Sequence, residues 1–565
     1  MRAARLDLSG VVLALSAAAL CLLVGLPIGW LAIFAFTDRA RHFSLGNFRL
    51  LFTDAAFVDP LVTTLILAVS VSAICCLVAA PIGFIVARTD LPLRRVVRIL
   101  VTVSFVTPPF LGAIAWEFLA APNSGLLNQL YRASTAAGPE AVLFNIYTLP
   151  GLIFVVACYT FPYVFALVAT ALERIPGDLE DASATLGGSA LRTALRVTIP
   201  LALPALAAGA LVAFLQAMTL FGSPGILALP AGFHTMTTKI WSLFQYPPKP
   251  ELAAAASLPL LLVTVALLRA QSAVLGRRGY AVVGGKSGPP RLLRLGLLRW
   301  PALAICFALL CLPVFLPYAA LLNAAFARTP SQLVGAGNFT LDNFRFVFLE
   351  LSATRLAMKN TLLLALMAAF CGTLLALVIS FLTARVAVRG QRFLSLLAMA
   401  PIAIPGIALG VGLFLAYTRG PVVLYGTLWI LLLAYVTIQL PPAYQQIQAA
   451  FRSLSPELEE ASRILGASRL RTLRDVTAPL LGPSLIATWC FVFVAVVREL
   501  SAAAILFTSE TKVLSVLIFD LNESGDLAAI AVLGLTLLIG TGAIVVAANL
   551  LPGFGGGLQL RSREP

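Results

Sequence analysis

The chain has 565 residues, of which 60% are hydrophobic and 11% are charged, and its mean hydropathy is +0.98. So little charge cannot cover the surface of a water-soluble globular protein, so the composition predicts an integral membrane protein. The net charge of +15 does not indicate nucleic-acid binding, because basic loops on one side of a bilayer explain it better. We therefore expect the lipid bilayer, and no nucleic acid, as a partner.

Apolar runs of roughly 20 residues predict membrane-spanning helices, since lipid offers no hydrogen-bond partner to an unpaired backbone group. The runs in this chain lack the strict alternation of a membrane β-barrel strand. The predicted fold is therefore all-α, a polytopic membrane protein with about twelve transmembrane helices. The predicted spans are 10–36, 60–87, 97–117, 148–171, 201–222, 251–274, 300–325, 360–384, 393–416, 422–446, 480–507 and 527–551.

The first span follows a basic N-terminal stretch, as the core of a signal peptide would. Its apolar run is far longer than the roughly 7–15 residues of such a core, so we expect it to be retained as a span. With the N-terminus placed in the cytoplasm, roughly twice as many Lys and Arg residues fall in cytoplasmic segments as on the opposite side. The positive-inside rule therefore predicts that both termini are cytoplasmic.

An internal repeat divides the chain. Residues 45–49 are echoed by residues 341–345, and residues 179–200 align without gaps to residues 458–479, with 13 of 22 positions identical. A similar spacing pairs Thr64 with Thr361, Arg88 with Arg385 and Pro108 with Pro405. The repeat predicts two homologous six-helix units that share one orientation and are related by an axis along the membrane normal.

The predicted domains are a first transmembrane unit at 1–274, a cytoplasmic linker at 275–298 and a second transmembrane unit at 299–565. The repeat spacing falls from 296 to 279 residues along the chain, so the first unit carries extra residues. We place them in loop 118–147, a candidate docking feature. The linker fragment 284–287 reads Gly-Gly-Lys-Ser, but it lacks the earlier glycine and the strand of a phosphate-binding loop, so no nucleotide site is expected there.

The repeated segments 179–200 and 458–479 are too polar to enter the bilayer. They belong to loops at about 173–200 and 448–479, between the fourth and fifth spans of each half. An acid-rich first turn favours a helix start in both copies, and a glycine follows where a short helix would end in a left-handed conformation. A second short helix is expected to run to the proline that opens the next span. The glycines are Gly187 and Gly466, and the prolines are Pro200 and Pro479.

The order of Glu, one residue, Ala, four residues, Gly and a later proline resembles the EAA loop, the coupling loop of permeases in the binding-protein-dependent, ATP-driven importer family. The resemblance covers almost the whole chain, at about 60–270 and 360–550. Asp181, opposite Glu460 in the alignment, departs from the alanine that is frequent in the family. The resemblance assigns coupling to Glu180, Asp181, Ala182 and Gly187 in the first half and to Glu459, Glu460, Ala461 and Gly466 in the second.

In that family the loop inserts its short helix into a groove on a separate nucleotide-binding subunit. The resemblance therefore implies a multi-pass protein of the bacterial cytoplasmic (inner) membrane, with two copies of an ATP-binding subunit and a periplasmic solute-binding protein as partners. It also implies that this chain is not an enzyme and binds no cofactor, because ATP and Mg²⁺ are bound by the partner subunit.

The fused two-unit form resembles permeases for ferric iron, thiamine, polyamines and aminophosphonates. Segments 220–227 and 497–502 look like those of ferric-iron permeases, which favours iron(III) as the substrate. The sequence contains only His42 and His234, and no cluster with ligand spacing for a hard trivalent ion. We therefore expect no metal site in the chain, and the resemblance assigns recognition mainly to the binding protein.

Four residues are candidates for the translocation path. Arg498 and Glu499 fall inside the eleventh predicted span, where an ionisable group is unfavourable unless it is paired or hydrated. They either line the path or serve the structure, as an ion pair near the end of the span or by reaching the interface. Pro108 and Pro405 interrupt equivalent spans, which indicates either a mobile region or close helix packing through neighbouring glycines.

A secondary, ion-coupled transporter is the chief alternative, because two parallel six-helix repeats would suit it equally well. The twin polar loops and the scarcity of buried carboxylates favour the importer. A membrane enzyme is disfavoured, since no Ser/His/Asp, metal or cofactor constellation supports it.

Overall fold

The computed structural model describes residues 9–550, except for 136–137, 139, 277–291, 334, 336, 386–389, 419–421 and 456. The basic N-terminal stretch, the centre of the predicted linker with fragment 284–287, and residues 551–565 therefore lie outside the described residues.

The described residues form long helices joined by loops that contain shorter helices. The principal helices of the first half are α1 (Gly10–Ala35), α2 (Ala55–Arg88), α3 (Arg94–Val106), α4 (Pro109–Ala120), α5 (Leu149–Glu173), α6 (Gly177–Thr185), α7 (Ala194–Thr219) and α8 (Pro250–Gly276). Those of the second half are α9 (Gly296–Phe326), α10 (Ser352–Arg385), α11 (Gln391–Ala403), α12 (Gly406–Tyr417), α13 (Leu428–Ser453), α14 (Glu457–Ile464), α15 (Arg474–Val497) and α16 (Leu527–Leu550). Shorter helices in the loops are Gly46–Thr53, Leu126–Thr135, Ala190–Thr193, Gly222–Leu227, Met236–Ser242, Asp342–Arg345, Arg469–Thr472, Ala503–Leu506 and Leu514–Ser524.

Within the described part of the chain, nine helices are long and apolar enough to cross a membrane. The predicted spans 97–117 and 393–416 are instead bent pairs, α3 with α4 and α11 with α12, at angles of 98° and 112°. The tenth predicted span forms α13, a helix of 26 residues whose second half is rich in glutamine. The all-α polytopic fold is confirmed, and the interruptions predicted at Pro108 and Pro405 are sharp bends between two helices.

The eleventh predicted span, 480–507, is interrupted. α15 ends at Val497, so Arg498 and Glu499 follow the helix instead of lying inside it. A short helix, Ala503–Leu506, begins after this break. At a break in a helix, some backbone carbonyl and amide groups have no intrahelical partner, so a polar side chain can bind them. An intact helix in lipid offers no such free groups.

Equivalent polar contacts confirm the internal repeat. The Asn47 side chain donates to the carbonyl oxygens of Ala35 and Thr37, at 3.2 and 2.8 Å, and ties the end of α1 to the following loop. In the second half, Asn343 donates to Ala325 and Ala327 at 3.0 and 2.9 Å. The two units therefore repeat individual hydrogen bonds as well as sequence.

A second repeated contact joins the second span of each half to a distant loop. The Thr64 hydroxyl accepts a hydrogen bond from the Met236 amide at 2.7 Å, and the Thr361 hydroxyl accepts one from the Leu514 amide at 2.8 Å. Each bond satisfies a backbone donor in the first turn of a short helix, where no intrahelical acceptor exists.

The first helix of each half packs against the bent pair of the other half. α1 lies on α12, where a Cβ on Gly412 would meet the Pro27 carbonyl oxygen at 2.8 Å, so the two backbones touch. The Tyr417 hydroxyl donates to the Leu22 carbonyl at 3.1 Å. α9 lies on α4, and the hydroxyls of Thr107 and Tyr318 are 2.9 Å apart. The two halves are therefore interlocked.

The extra residues of the first half lie in the loop that the repeat spacing predicts. Residues 121–148 join α4 to α5, whereas the shorter segment 418–427 joins α12 to α13. The longer loop folds around the buried Asn128, whose side chain donates to Ala121 and Phe144 and accepts from Leu143 and Phe144. Its docking role stays a prediction.

Candidate coupling loops and central break

The two candidate coupling helices, α6 and α14, begin and end as their sequences predict. Each has acidic residues in its first turn, where they favour the partial positive charge of the helix N-terminus. Gly187 and Gly466 follow the helix ends with φ of +80° and +89°. The amides of the next residues, Gly188 and Ala467, donate back to Ser183 and Ser462. These left-handed stops confirm the predicted role of both glycines in the turn.

The chain after each stop differs from the expectation of a separate second helix. Residues 190–193 continue without a break through a π-helical turn at 194–198 into the span that follows. The second half repeats this at residues 469–497. A proline is tolerated in the first turn of a helix, and Pro200 and Pro479 lie at that position in the α-helical segments after the π-turns. The predicted boundary at these prolines is therefore wrong.

The Glu180 carboxylate is buried and paired within the chain. Its Oε1 lies 2.6 Å from Nη2 of Arg88, the last residue of α2, and the two side chains are 6% and 0% exposed. The same oxygen accepts a hydrogen bond from the Thr198 hydroxyl at 2.7 Å. Nη1 of Arg88 donates to the Ile175 carbonyl at 3.2 Å. One ion pair thus joins α2, the turn between α5 and α6, α6 itself and the start of α7.

The second half builds the equivalent cluster. Arg385, the last residue of α10, places Nε 3.1 Å from Oε1 of Glu459, and the side chains are 12% and 16% exposed. The Thr477 hydroxyl donates to the same Oε1 at 3.1 Å. Nη2 of Arg385 donates to the Phe451 and Leu454 carbonyls at the end of α13. Each glutamate therefore has an arginine and a threonine of its own unit as partners.

Sequence reasoning expected the partner of these glutamates on another subunit and missed the two arginines. A signal was present, because Arg88 and Arg385 occupy equivalent positions of the repeat. The next acids in the chain, Asp181 and Glu460, are exposed, as are Ala182 and Ala461. The predicted coupling residues thus divide into an inward-facing glutamate and an outward-facing remainder in each half.

The outward face of each coupling helix ends in exposed apolar side chains. Leu186 is 89% exposed and Leu465 is 88% exposed, and each directly precedes the left-handed glycine. Leu179 and Leu458, about two helix turns earlier, are about half exposed. We call these four leucines, with Asp181 and Glu460, the coupling surface. Exposed apolar side chains on a polar loop are typical of a protein interface.

Arg498 connects the break after α15 to the first half. Its Nη1 donates to the Phe105 carbonyl at 2.5 Å, its Nη2 donates to the Tyr163 hydroxyl at 3.3 Å, and the guanidinium lies 5.3 Å from the centroid of the Phe105 ring. Glu499 accepts from the amides of Ala502 and Ala503 at the next short helix. The predicted alternative of an ion pair between the two side chains is therefore wrong, since each binds other groups.

Pro108 and Pro405 lie where the two bent pairs turn. The residue before each proline is extended, with ψ of 124° at Thr107 and 117° at Ile404, as the proline ring requires. Arg498 binds Phe105 just before the first bend, and a Cβ on Gly406 would lie 3.4 Å from Oε1 of Glu499 at the second. The four predicted path residues thus gather around one break.

Close packing occurs at the same place. A Cβ on Gly410 would lie 3.3 Å from the Ala502 carbonyl oxygen, so α12 approaches the backbone after the break. The second half therefore shows the close packing that was one of the two alternatives, and the mobility of the interrupted spans stays a prediction. Among the described residues, no group of three His, Cys, Asp or Glu side chains could hold a metal ion.

Nine helices of the described residues that could cross a membrane, together with two bent helix pairs, define a polytopic membrane protein. The model of the family described as "Binding-protein-dependent transport system inner membrane component" matches residues 79–278 and 372–555. The chain belongs to this family and contains its unit twice.

The names of similar curated proteins indicate two kinds of transported solute. "Ferric transport system permease protein FbpB" of Actinobacillus pleuropneumoniae is 28% identical over 394 residues, which cover 68% of this chain and 56% of the relative. A putative FbpB of Haemophilus influenzae is 28% identical and covers 62% and 55%. "Putative 2-aminoethylphosphonate transport system permease protein PhnV" of Salmonella paratyphi A is 30% identical and covers 40% and 83%. The chain thus spans about half the length of these two ferric relatives.

Among solved structures, a bacterial alginate ABC transporter in complex with its pentasaccharide-bound periplasmic protein is similar at 17% identity and a TM-score of 0.38. The match covers 47% of this chain and 96% of the other.

Proposed function

We propose that this chain is the translocating subunit of an ATP-driven importer that receives its solute from a binding protein. The two coupling surfaces carry the proposal, because they present the same exposed leucines and acids twice, at equivalent places of the repeat. Each is held to its own bundle by an Arg–Glu pair, which is buried in the first half and half-buried in the second. Two copies of a separate ATP-binding subunit dock there, one per half, and hydrolyse ATP. Both termini and the coupling surfaces face the cytoplasm.

The translocation path runs between the halves, past the central break. Arg498 belongs to the second half and its acceptors Phe105 and Tyr163 belong to the first half. Separation of the halves at this level breaks those bonds. The bent pairs supply the mobile elements, since each turns at a proline without continuous helical hydrogen bonding.

The proposed substrate is iron(III), which the ferric relatives and the segments 220–227 and 497–502 favour. An aminophosphonate is the second candidate, because PhnV is 30% identical over most of its own length and Arg498 would suit a phosphonate anion. Thiamine and polyamines remain alternatives from the resemblance. The binding protein, not this chain, carries most of the selectivity in this proposal.

The coupling surfaces can be tested by co-purification with the ATP-binding subunit. Leu186→Ser and Leu465→Ser remove apolar side chains that are buried against the ATP-binding subunit in this proposal. Burial of each leucine contributes about 1.5–3 kcal/mol to the binding free energy. We expect each variant to weaken binding of the ATP-binding subunit about tenfold or more, and the double variant to lose it. Leu297→Ser is the matched control, because Leu297 is 89% exposed outside the coupling loops.

A single reconstitution then separates the importer from its alternatives. Proteoliposomes that contain the purified chain, its ATP-binding subunit and the binding protein should show solute uptake only with ATP. Ferric ion, 2-aminoethylphosphonate, thiamine and a polyamine are compared by their stimulation of ATP hydrolysis. Uptake by this chain alone, driven by an ion gradient, would replace the proposal with a secondary transporter.

A further inference from the structure

We infer that Arg88 and Arg385 are positioning residues that fasten each coupling helix to two membrane helices at once, so that these elements move as one body. The inference rests on the proposed function, since it assigns a mechanical task to helices that the proposal places under the ATP-binding subunits. In this inference, Glu180 and Glu459 bind groups of their own chain and do not contact the ATP-binding subunit.

The geometry at the first coupling helix indicates that Glu180 holds the helix to its own bundle and does not contact a partner subunit. Oε1 of Glu180 accepts two hydrogen bonds. One comes from Nη2 of Arg88 at the end of α2, and the other comes from the Thr198 hydroxyl at the start of α7. A single carboxylate oxygen thereby holds two membrane helices to α6. The pair is almost completely buried, so a partner subunit has little access to it. Movement of α6 is transmitted to α2 and α7 through this oxygen.

The duplicate in the second half shows that the cluster belongs to the unit and not to one local environment. Glu459 has the same two types of partner, Arg385 and Thr477, although the arginine uses Nε there and Nη2 in the first half. A buried charge whose partner is removed is strongly unfavourable. Loss of either arginine should therefore release the glutamate and the coupling helix with it.

The two clusters are not equivalent in their surroundings. The end of the linker pairs with the end of α2, because the Leu293 amide donates to the Arg88 carbonyl at 2.8 Å and the Asp90 amide donates to the Leu293 carbonyl at 3.1 Å. Leu293 also lines a cavity of about 110 Å³ beside Glu180 and Thr198. The linker thus covers the first cluster, and the second is the more accessible one for a test.

The test is a charge exchange in the second half of the reconstituted importer. Glu459→Arg and Arg385→Glu alone should each lower solute transported per ATP hydrolysed, by about tenfold, because each leaves two like charges in contact. The combined variant should recover most of the loss, since the exchanged pair again has opposite charges. Transport, hydrolysis and the amount of bound ATP-binding subunit are measured together.

The control is an exposed pair in the same loop. Arg471 and Asp475 lie 3.3 Å apart and are 75% and 51% exposed, and such pairs contribute little. Arg471→Glu should leave transport per ATP within about twofold of the unmodified chain. A direct contact between Glu459 and the partner subunit predicts that Arg385→Glu gives no recovery of Glu459→Arg, and that result overturns the inference.

A milder variant covers the possibility that charge reversal prevents assembly. Thr477→Val removes only the hydroxyl donor and should lower transport per ATP about threefold with the complex intact. An unchanged ratio for Thr477→Val overturns the inference, as does a loss of transport that only follows the loss of complex. Failure of the proposed function looks different, because the unmodified chain would then show no ATP-dependent uptake.

Discussion

Glu180 and Asp181 are neighbours in the chain, yet their side chains have different surroundings. Successive residues of an α-helix point about 100° apart, so a short surface helix directs one acid towards its own bundle and the next towards solvent. The buried arginine takes the first acid, and the second is exposed. Glu459 and Glu460 divide in the same way.

The left-handed glycine after each coupling helix should be needed for the position of the leucine before it. Gly466 has φ of +89°, a conformation that a β-branched residue adopts only with strain of about 1–3 kcal/mol. Gly466→Val should therefore displace Leu465 and weaken binding of the ATP-binding subunit about tenfold, measured by titration of the purified complex. Gly482→Val is the control, because a Cβ at that glycine meets nothing within 4 Å and its φ is not positive. Equal binding by both variants would contradict the role of the turn.

Among the elements, the bent pairs and the interrupted span are interdependent. α3 and α4 meet at 98°, α11 and α12 at 112°, and α15 ends between them at Val497. A break in a membrane helix exposes backbone groups that must find partners. Arg498 and Glu499 supply such partners, which explains why two ionisable residues are stable there.

Arg498→Ala tests whether this break takes part in transport. The change removes the bonds to the first half, so we expect transport to fall about tenfold or more while the amount of assembled complex stays nearly the same. Tyr163→Phe removes only the weaker acceptor and should have a smaller effect. Uptake assays and size-exclusion chromatography are run on the same preparations. A parallel loss of assembly and transport would mean that Arg498 serves the structure alone.

In the whole molecule, the first helix of each unit packs on the other unit, so that the two repeated units form one structure. α1 packs on α12 and α9 packs on α4, so neither unit has its complete set of contacts alone. The duplication nevertheless provides two coupling surfaces in a single chain.

The stoichiometry follows from this arrangement. One copy of the chain should bind two copies of the ATP-binding subunit, because each coupling surface occupies one groove. Native mass spectrometry of the purified complex gives the count directly. A complex with two copies of this chain would contradict the prediction, since four coupling surfaces would then be present for two subunits.

The sequence by itself determined the membrane environment, the all-α fold, the duplication and the position of the two polar loops that are the candidates for coupling. These features depend on summed hydropathy and on repeated local patterns, which need no knowledge of distant contacts. The left-handed glycines were also predictable, because helix termination is a local property. Family membership followed from the same motif.

Only the tertiary structure decided the direction of each acid and the partner of each charge. Arg88 and Glu180 are separated by 92 residues, and Arg498 and Phe105 by 393. No local pattern relates such positions, because the packing of helices against one another brings them together. The exchange of α1 and α9 between the halves is of the same kind. Hydropathy identifies a helix as a membrane span, whereas side-chain complementarity determines the helix against which it packs.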